Sequence, residues 1–166
     1  MANDLFKLRG GPELQKMLNT LPAKIEKNIM RSALRAGARV IANEAKANVP
    51  VGDGDLKRSI KVSTGGKRGN VYAKVKAGDQ KAWYYRFVEF GTAAHTIQPK
   101  NKKALFFNGG FAHSVVHPGA KAKPFMRPAL DSKSGEAIQA VGEQIRKRLN
   151  KAGIETPAIL EIDDES

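Results

Sequence analysis

The segment AKIEKNIMRSALRAGARVIANEAKAN, residues 23–48, decides the fold. It contains no proline and one glycine, Gly37, and its apolar residues recur every three or four positions, the period of an amphipathic helix. At 1.5 Å per residue this helix is about 40 Å long. Small residues dominate positions 33–38, so we expect a helix or a sheet to pack closely against its middle. The residues that trace its predicted apolar face are Ile25, Ile29, Ala33, Ala36, Val40 and Ala47.

Downstream of this helix the pattern changes to short β-like segments. Proline and glycines in 49–55 end the helix. Residues 59–64 and 71–77 alternate apolar and polar side chains around a glycine-rich turn at 65–70, which predicts a β-hairpin. The aromatic segment 83–90 is either a strand or a short helical turn.

The ends of the chain and one long excursion complete the organisation. Apolar spacing predicts a second helix over 128–150 and a short one over 12–21. Residues 95–123 form an extended hairpin or loop, a length that usually has a function. We therefore predict an α+β fold in one domain, residues 1–153, with an N-terminal arm over 1–10 and an acidic tail over 154–166.

Length and composition exclude several classes of protein. The chain has 166 residues and no cysteine, which excludes a disulfide scaffold, a thiolate zinc site and a cysteine nucleophile. It contains neither a run of about 20 apolar residues nor an N-terminal hydrophobic signal segment. These features predict a soluble protein made in the cytoplasm, with no membrane contact.

Charge is strongly asymmetric along the chain. The last twelve residues hold five acids and no Lys or Arg; against 29 basic residues the other 11 acids leave residues 1–154 at +18. Such a basic body favours a negative partner: nucleic acid, an acidic protein surface, or the tail of another copy. Candidate contacts to a partner or to DNA are Lys67, Arg68, Lys100, Lys102, Lys103, Lys121 and Lys123. Candidate docking residues in the acidic tail are Ile159, Leu160, Glu161, Ile162, Asp163 and Asp164.

Catalytic and metal-binding patterns have little support. His113 and His117 are too far apart on a strand to share one metal ion. We assign Asp53 and Asp55 to a turn followed by a helix cap or ion pair, because the other ligands of a calcium loop are missing. No nucleophile elbow or phosphate loop is present, so we predict a protein without catalytic residues, metal or cofactor. The aromatic residues of 83–87 could stack on bases, but we predict that they belong to the core.

Three motifs, in order, resemble those of a family of neck or tail-completion proteins of long-tailed phages. They are VPVGDGDLKRSI (49–60), YRFVEFGT (85–92) and PFMRPAL (124–130). The residues that carry the resemblance are Pro50, Gly52, Leu56, Ser59, Tyr85, Glu89, Phe90, Gly91, Thr92, Pro124, Phe125, Arg127 and Pro128.

The resemblance implies a structural virion protein at the head–tail junction. It also implies a fold in which a long N-terminal helix and a C-terminal helix pack on a small antiparallel sheet. Such proteins form a ring, expected to be a hexamer, that completes the tail and joins it to the head connector or closure protein. Its other neighbour would be the tail tube or terminator protein, with genomic DNA passing through the lumen. The alternatives are a tail terminator or head-closure ring and, from another class, a basic nucleic-acid-binding module.

Two residues of the motifs carry structural predictions of their own. Gly91 should occupy a position that needs space or a positive φ. Arg127 is placed to form an ion pair with Glu89, which would hold the last helix against the sheet. Arg86 is an alternative partner of Glu89, and a raised-pKa general acid is the alternative role of this carboxyl.

Overall fold

Two 26-residue helices form the frame of the protein. The computed structural model describes residues 12, 16, 19–21, 23–50, 52, 54–67, 70–100, 103–107 and 109–154. Helix α1 spans Ala23–Asn48, as predicted, and helix α4 spans Met126–Lys151, two residues earlier than its sequence pattern indicates. The N-terminal arm, most of the predicted short helix over 12–21 and the acidic tail beyond Ile154 lie outside the described residues.

Helices α1 and α4 pack antiparallel along most of their length. Ile29 and Ala33 of α1 meet Ile145 and Leu149 of α4 in one buried cluster. Farther along α1, Ala42 and Ala45 share a second cluster with residues that include Phe125 and Ala129. Helices α1 and α4 contribute mostly alanine to this second cluster, and these small side chains let the two helix backbones lie close together.

Gly37 lies at a close approach of the two helices. A Cβ atom on Gly37 would be 2.7 Å from the carbonyl oxygen of Ala137 and 2.7 Å from Val141 Cγ2. The small residues at 33–38 therefore accommodate a helix, one of the two partners that the sequence allows. The predicted apolar face is partly wrong, since Ile25 and Ala47 are exposed while Ala38, Ala42 and Ala45 are buried.

A short helix and a hairpin follow α1. Helix α2 spans Asp55–Ser59, so Ser59 ends a helix and does not begin a strand as predicted. Strands β1 (Lys61–Lys67) and β2 (Asn70–Lys76) pair antiparallel, with Val62 opposite Val75 and Gly65 opposite Tyr72. The predicted turn at 65–70 is too long, because 65–67 belong to β1. Both strands contact α1.

The aromatic segment becomes helix α3, Tyr85–Phe90, which decides between the two predicted conformations. Four three-residue strands then follow: β3 (His95–Ile97), β4 (Leu105–Phe107), β5 (Gly110–Ala112) and β6 (Val115–His117). Strand β3 pairs with β6, and β4 with β5, both antiparallel. The predicted excursion is therefore an extended hairpin, which we call the arm and define as residues 92–120. Within the described chain, its strands pair only with each other.

Candidate assembly surfaces

A single carboxylate joins α3 to the start of α4. Glu89 Oε2 accepts hydrogen bonds from the backbone N–H groups of Phe125 (2.8 Å) and Met126 (3.0 Å), and Oε1 accepts one from Arg127 (3.1 Å). Glu89 is only 8% exposed, and the Phe125 side chain next to it is fully buried. The contact connects residues that are 36 to 38 positions apart in the sequence.

The arrangement satisfies the whole N-terminal end of α4. The first four N–H positions of a helix have no partner within the helix. Glu89 accepts three of them, and the fourth position is Pro128, which has no N–H to satisfy. A carboxylate here also interacts favourably with the positive end of the helix dipole. The motif PFMRPAL is thus complementary to the glutamate of YRFVEFGT through backbone atoms.

The same contacts determine the ionisation of Glu89. Burial, the largest single influence, raises the pKa of Glu89, but the three N–H donors together outweigh it and hold this pKa below its ordinary value of 4.5. The carboxyl is therefore ionised at neutral pH, with both oxygens already engaged. This geometry argues against Glu89 as a general acid with a raised pKa.

The predicted ion pair between Glu89 and Arg127 is wrong. The Arg127 side chain is 86% exposed, and its Nε lies 3.9 Å from Asp131 Oδ2, one helical turn along α4. Only the backbone N–H of Arg127 reaches Glu89. The alternative partner, Arg86, donates from Nε to the Tyr85 hydroxyl at 3.1 Å. The sequence indicates that Glu89 holds α4, but it does not reveal that the partner is the backbone.

Glycines fix the base of the arm beside Glu89. Gly91 has φ +71°, as predicted, and a Cβ there would lie 2.6 Å from the carbonyl oxygen of Ala120. Thr92 and Ala120 exchange two backbone hydrogen bonds of 2.9 and 3.1 Å, and the Thr92 hydroxyl accepts another from Ala120 N–H at 2.9 Å. Gly119, with φ +89°, lies so close to Thr92 that a Cβ atom at position 119 would clash with the Thr92 carbonyl oxygen. The two ends of the arm are thereby held together where they leave the body.

The first motif also has a structural role. The Ser59 hydroxyl donates to the Leu56 carbonyl (2.7 Å) and accepts from Gly78 N–H (2.9 Å), and Ser59 and Leu56 are buried. Tyr85 packs against Gly78 and the same core. Of the two glycines in this motif, Gly54 has a positive φ of +79°, whereas Gly52 is exposed with open space around it. Pro50 and Gly52 line a shallow cleft with Tyr84 and Val88.

Exposed aromatic side chains form a patch around α3. Trp83 is 66% exposed and Phe90 is 78% exposed, and Phe87 packs edge-on against Trp83 at 5.8 Å. The prediction that this segment belongs to the core is therefore wrong for Trp83 and Phe87, and correct for Tyr84 and Tyr85, which are partly buried. The short helix explains the difference, because a helix presents aromatic residues on all sides whereas a strand would present two faces.

A second aromatic pair lies near the tip of the arm. Phe106 on β4 and Phe111 on β5 are opposite each other, in edge-on contact at 5.5 Å, and are 72% and 80% exposed. Two large apolar side chains exposed together on the arm are a candidate contact surface for another protein. Sequence reasoning did not identify these residues as a site. The signal was present, since two aromatic residues flank an Asn-Gly pair that is typical of a two-residue hairpin turn.

The predicted basic contacts are dispersed. Lys100 and Lys103 lie exposed on the arm, and Lys121 and Lys123 lie exposed on the segment that leads back to α4. Arg68, Lys102 and the side chain of Lys67 are outside the described residues.

A denser basic site lies between α1 and α4, and sequence reasoning did not bring its two walls together. It is a groove lined by Arg31, Arg35, Arg39 and Arg148, and we call it the arginine groove. Its signal in the sequence was the four-residue spacing of three arginines on a helix.

The remaining acids and histidines do not assemble a metal centre in the described part of the chain. No group of three or more His, Asp or Glu side chains there could hold a metal ion. Asp55 forms an ion pair with Arg58, as predicted, while Asp53 is outside the described residues. His95 pairs across the arm with His117, with ring centroids 5.1 Å apart. No helix among the described residues is long and apolar enough to cross a membrane.

The described residues thus divide into buried scaffold contacts and exposed surface features. Residues of the three motifs form scaffold contacts, and the exposed features of the described residues are an aromatic arm, an aromatic patch and a basic groove. Residues 13–91, just under half of the chain, match the model of a family described as "Bacteriophage HK97-gp10, putative tail-component". The resemblance to tail proteins of tailed phages is thereby confirmed over the first motif and over the second as far as Gly91. No curated protein and no solved structure gives a significant match.

Proposed function

We propose that the chain forms a ring at the head–tail junction of a tailed phage, where it completes the tail and joins it to the head connector. The family match supports a structural tail component and a place in the virion. The position at the junction and the sixfold ring are further steps, and they rest on the resemblance of the three motifs. The partners would be identical copies, a head connector or closure protein, and the tail tube or terminator protein.

The arm is the observation that carries this proposal. Subunits of a ring contact each other head to tail, so one surface must be complementary to a different surface on the next copy. The exposed pair Phe106 and Phe111 on the arm and the patch of Trp83, Phe87 and Phe90 on the body supply two unlike apolar surfaces. We propose that the arm tip of one subunit contacts the aromatic patch of the next.

The experiment is to measure mass and shape in solution by light scattering and negative-stain imaging, alone and with purified tails. Rings, or a collar at one end of the tail, are the expected result. The double variant Phe106→Ser with Phe111→Ser should keep its circular dichroism spectrum and lose the rings, because two large apolar contacts per interface are removed.

A matched control distinguishes the arm from apolar surface in general. Ile25→Ser with Leu130→Ser removes two exposed apolar side chains elsewhere on the body and should leave the rings intact. If the arm-tip variant forms rings as well as the control does, the arm is not the contact. A monomer that ignores tails would contradict the junction role itself.

A tail-terminator or head-closure ring is the alternative within the same class, and the end of the tail that carries the collar discriminates between them. The alternative from another class is a basic nucleic-acid-binding module, which the arginine groove favours. Tight, salt-dependent binding of duplex DNA by the isolated monomer would support that module. A ring through which DNA passes should bind DNA only weakly, since tight contacts would impede passage.

A further inference from the structure

The arginine groove is a preorganised basic site on the helical face of the molecule. Arg31, Arg35 and Arg39 follow one another at four-residue intervals on α1, and Arg148 faces them from α4. The groove has a volume of about 520 Å³, and its four arginines are exposed. A row of guanidinium groups at this spacing extends about 12 Å along the helix.

Hydrogen bonds hold the walls of the groove in place. The Ser32 hydroxyl accepts from Gln144 Nε2 at 2.8 Å and from Arg148 Nε at 3.2 Å, which ties α4 to α1. Arg35 donates to the Thr64 hydroxyl of β1 at 3.0 Å. Two of the four guanidinium groups are therefore already positioned, which lowers the entropic cost of binding an anion.

The groove lacks a counter-charge of its own. None of its described lining residues is a carboxylate, and none of the four arginines forms an ion pair with a described Asp or Glu. Four like charges in one groove repel each other, and a bound anion would offset this repulsion. The chemistry therefore fits a flexible polyanion better than a small neutral molecule.

The sequence supplies such a polyanion next to the groove. Residues 155–166 carry five carboxylates and no Lys or Arg. This segment begins directly after Ile154, which packs on the cluster of Ile29 and Leu149 and donates its N–H to the Leu149 carbonyl at 3.1 Å. The segment thus starts from a contact with Leu149, the residue that follows Arg148 of the groove in the sequence. Twelve residues reach at most about 40 Å, which exceeds the length of the row of arginines.

We infer that the acidic segment 155–166 binds in the arginine groove of its own subunit and covers it against other polyanions. The inference does not depend on the ring proposal, because the segment and the groove belong to the same subunit. It assigns a receptor to the tail residues that the sequence marks as a docking element. It also makes DNA binding by this surface conditional on displacement of the segment.

The absence of cysteine from the sequence allows a direct test on the full chain. A spin label on the single thiol of the Leu160→Cys variant should broaden backbone amide signals of residues near 28–39 and 144–148. The double variant Arg31→Ala with Arg39→Ala should abolish this broadening. The control Lys121→Ala with Lys123→Ala removes the same charge from another exposed surface and should preserve it.

Three results would overturn the inference. The first is broadening on the arm or on other basic surfaces and not along the groove. The second is equal loss of broadening in the arginine variant and the lysine control. The third is broadening that arises only between a spin-labelled chain and a separate isotope-labelled chain, which would place the segment on a neighbouring copy.

Duplex DNA provides a second measurement on the full chain. Replacing the five acids of 155–166 by their amides should strengthen DNA binding at low salt by about tenfold, because two or more exposed ion pairs with the groove are removed. Arg31→Ala with Arg39→Ala should cancel that gain. Equal DNA affinity with the native and the neutralised segment would mean that the groove is not covered, and the inference would fail.

Discussion

At the scale of the residue, Glu89 is the most consequential side chain of the fold. Its carboxylate accepts hydrogen bonds from three of the four backbone positions at the start of α4, and the fourth, Pro128, has no N–H. Glu89 is itself buried next to the buried side chain of Phe125. Glu89→Ala should destabilise the protein by about 3–5 kcal/mol, because three backbone N–H groups would lose their acceptor. Glu89→Gln, whose amide oxygen can still accept, should cost about half as much. Urea denaturation at pH 7 measures both values, and a loss below about 1 kcal/mol for the alanine variant would contradict this role.

The ionisation of Glu89 also makes part of the stability depend on pH. Because the pKa of this carboxyl is lower in the folded state than its ordinary value of 4.5, its contribution is complete above about pH 5. The contribution is lost as pH falls through the folded-state pKa. The difference in free energy of unfolding between the native protein and Glu89→Gln should therefore shrink below pH 4.5. A difference that stays constant down to pH 3 would show that the charge of Glu89 is not involved.

Arg127 tests the distinction between side-chain and backbone recognition. Its exposed guanidinium interacts weakly with Asp131, so Arg127→Ala should change stability by less than about 0.5 kcal/mol. In a double-mutant cycle, Arg127→Ala and Glu89→Ala should be additive. A coupling energy above about 1 kcal/mol would instead support the ion pair between Glu89 and Arg127 that the sequence predicts.

At the scale of the element, the contact between α1 and α4 depends on Gly37. Gly37→Ala adds a methyl group 2.7 Å from the Ala137 carbonyl oxygen, a backbone atom that cannot move by itself. Alanine favours a helix over glycine by about 1 kcal/mol, but overpacking costs about 1–3 kcal/mol. We expect net destabilisation, seen as a lower thermal midpoint. A control is Gly110→Ala on the arm, where the added atom meets nothing within 4 Å and the midpoint should not change.

Elements with a strong period are predictable from this sequence, and those that depend on tertiary contacts are not. Residues 23–48 contain enough helical periods to fix α1 at both ends. The predicted turn of the hairpin is too long because the glycines of β1 show no decisive period. The conformation of 83–90 is left open by the sequence because its aromatic residues show no decisive period either. Gly65, for example, sits in a strand since Tyr72 packs over it from β2, a contact that becomes visible only in three dimensions.

The candidate assembly surfaces are likewise only partly predictable from the sequence. Glu89, Gly91 and Thr92 are found from their motif, although the partner of Glu89 is not. The arginine groove combines residues more than 100 positions apart, as in the contact of Ser32 with Gln144, so no local pattern reveals it. Only the helical spacing of Arg31, Arg35 and Arg39 hints at one of its walls.

At the scale of the whole molecule, the body and the arm are separable. The strands of the arm pair only with each other in the described chain, and its base is held by the contact between Thr92 and Ala120. Replacing residues 94–118 by a short glycine-serine linker should leave the thermal midpoint within a few degrees, because the two core clusters contain no arm residue. Differential scanning calorimetry measures this midpoint, and global unfolding of the variant would show that the arm contributes to the core.

The bond from Glu89 to the start of α4 closes a loop of the chain that contains the entire arm. Insertions, deletions or wholesale exchange inside that loop leave both anchoring segments untouched. The arm can therefore change in length, and in the side chains at its tip, without any change in the frame of helices that carries it.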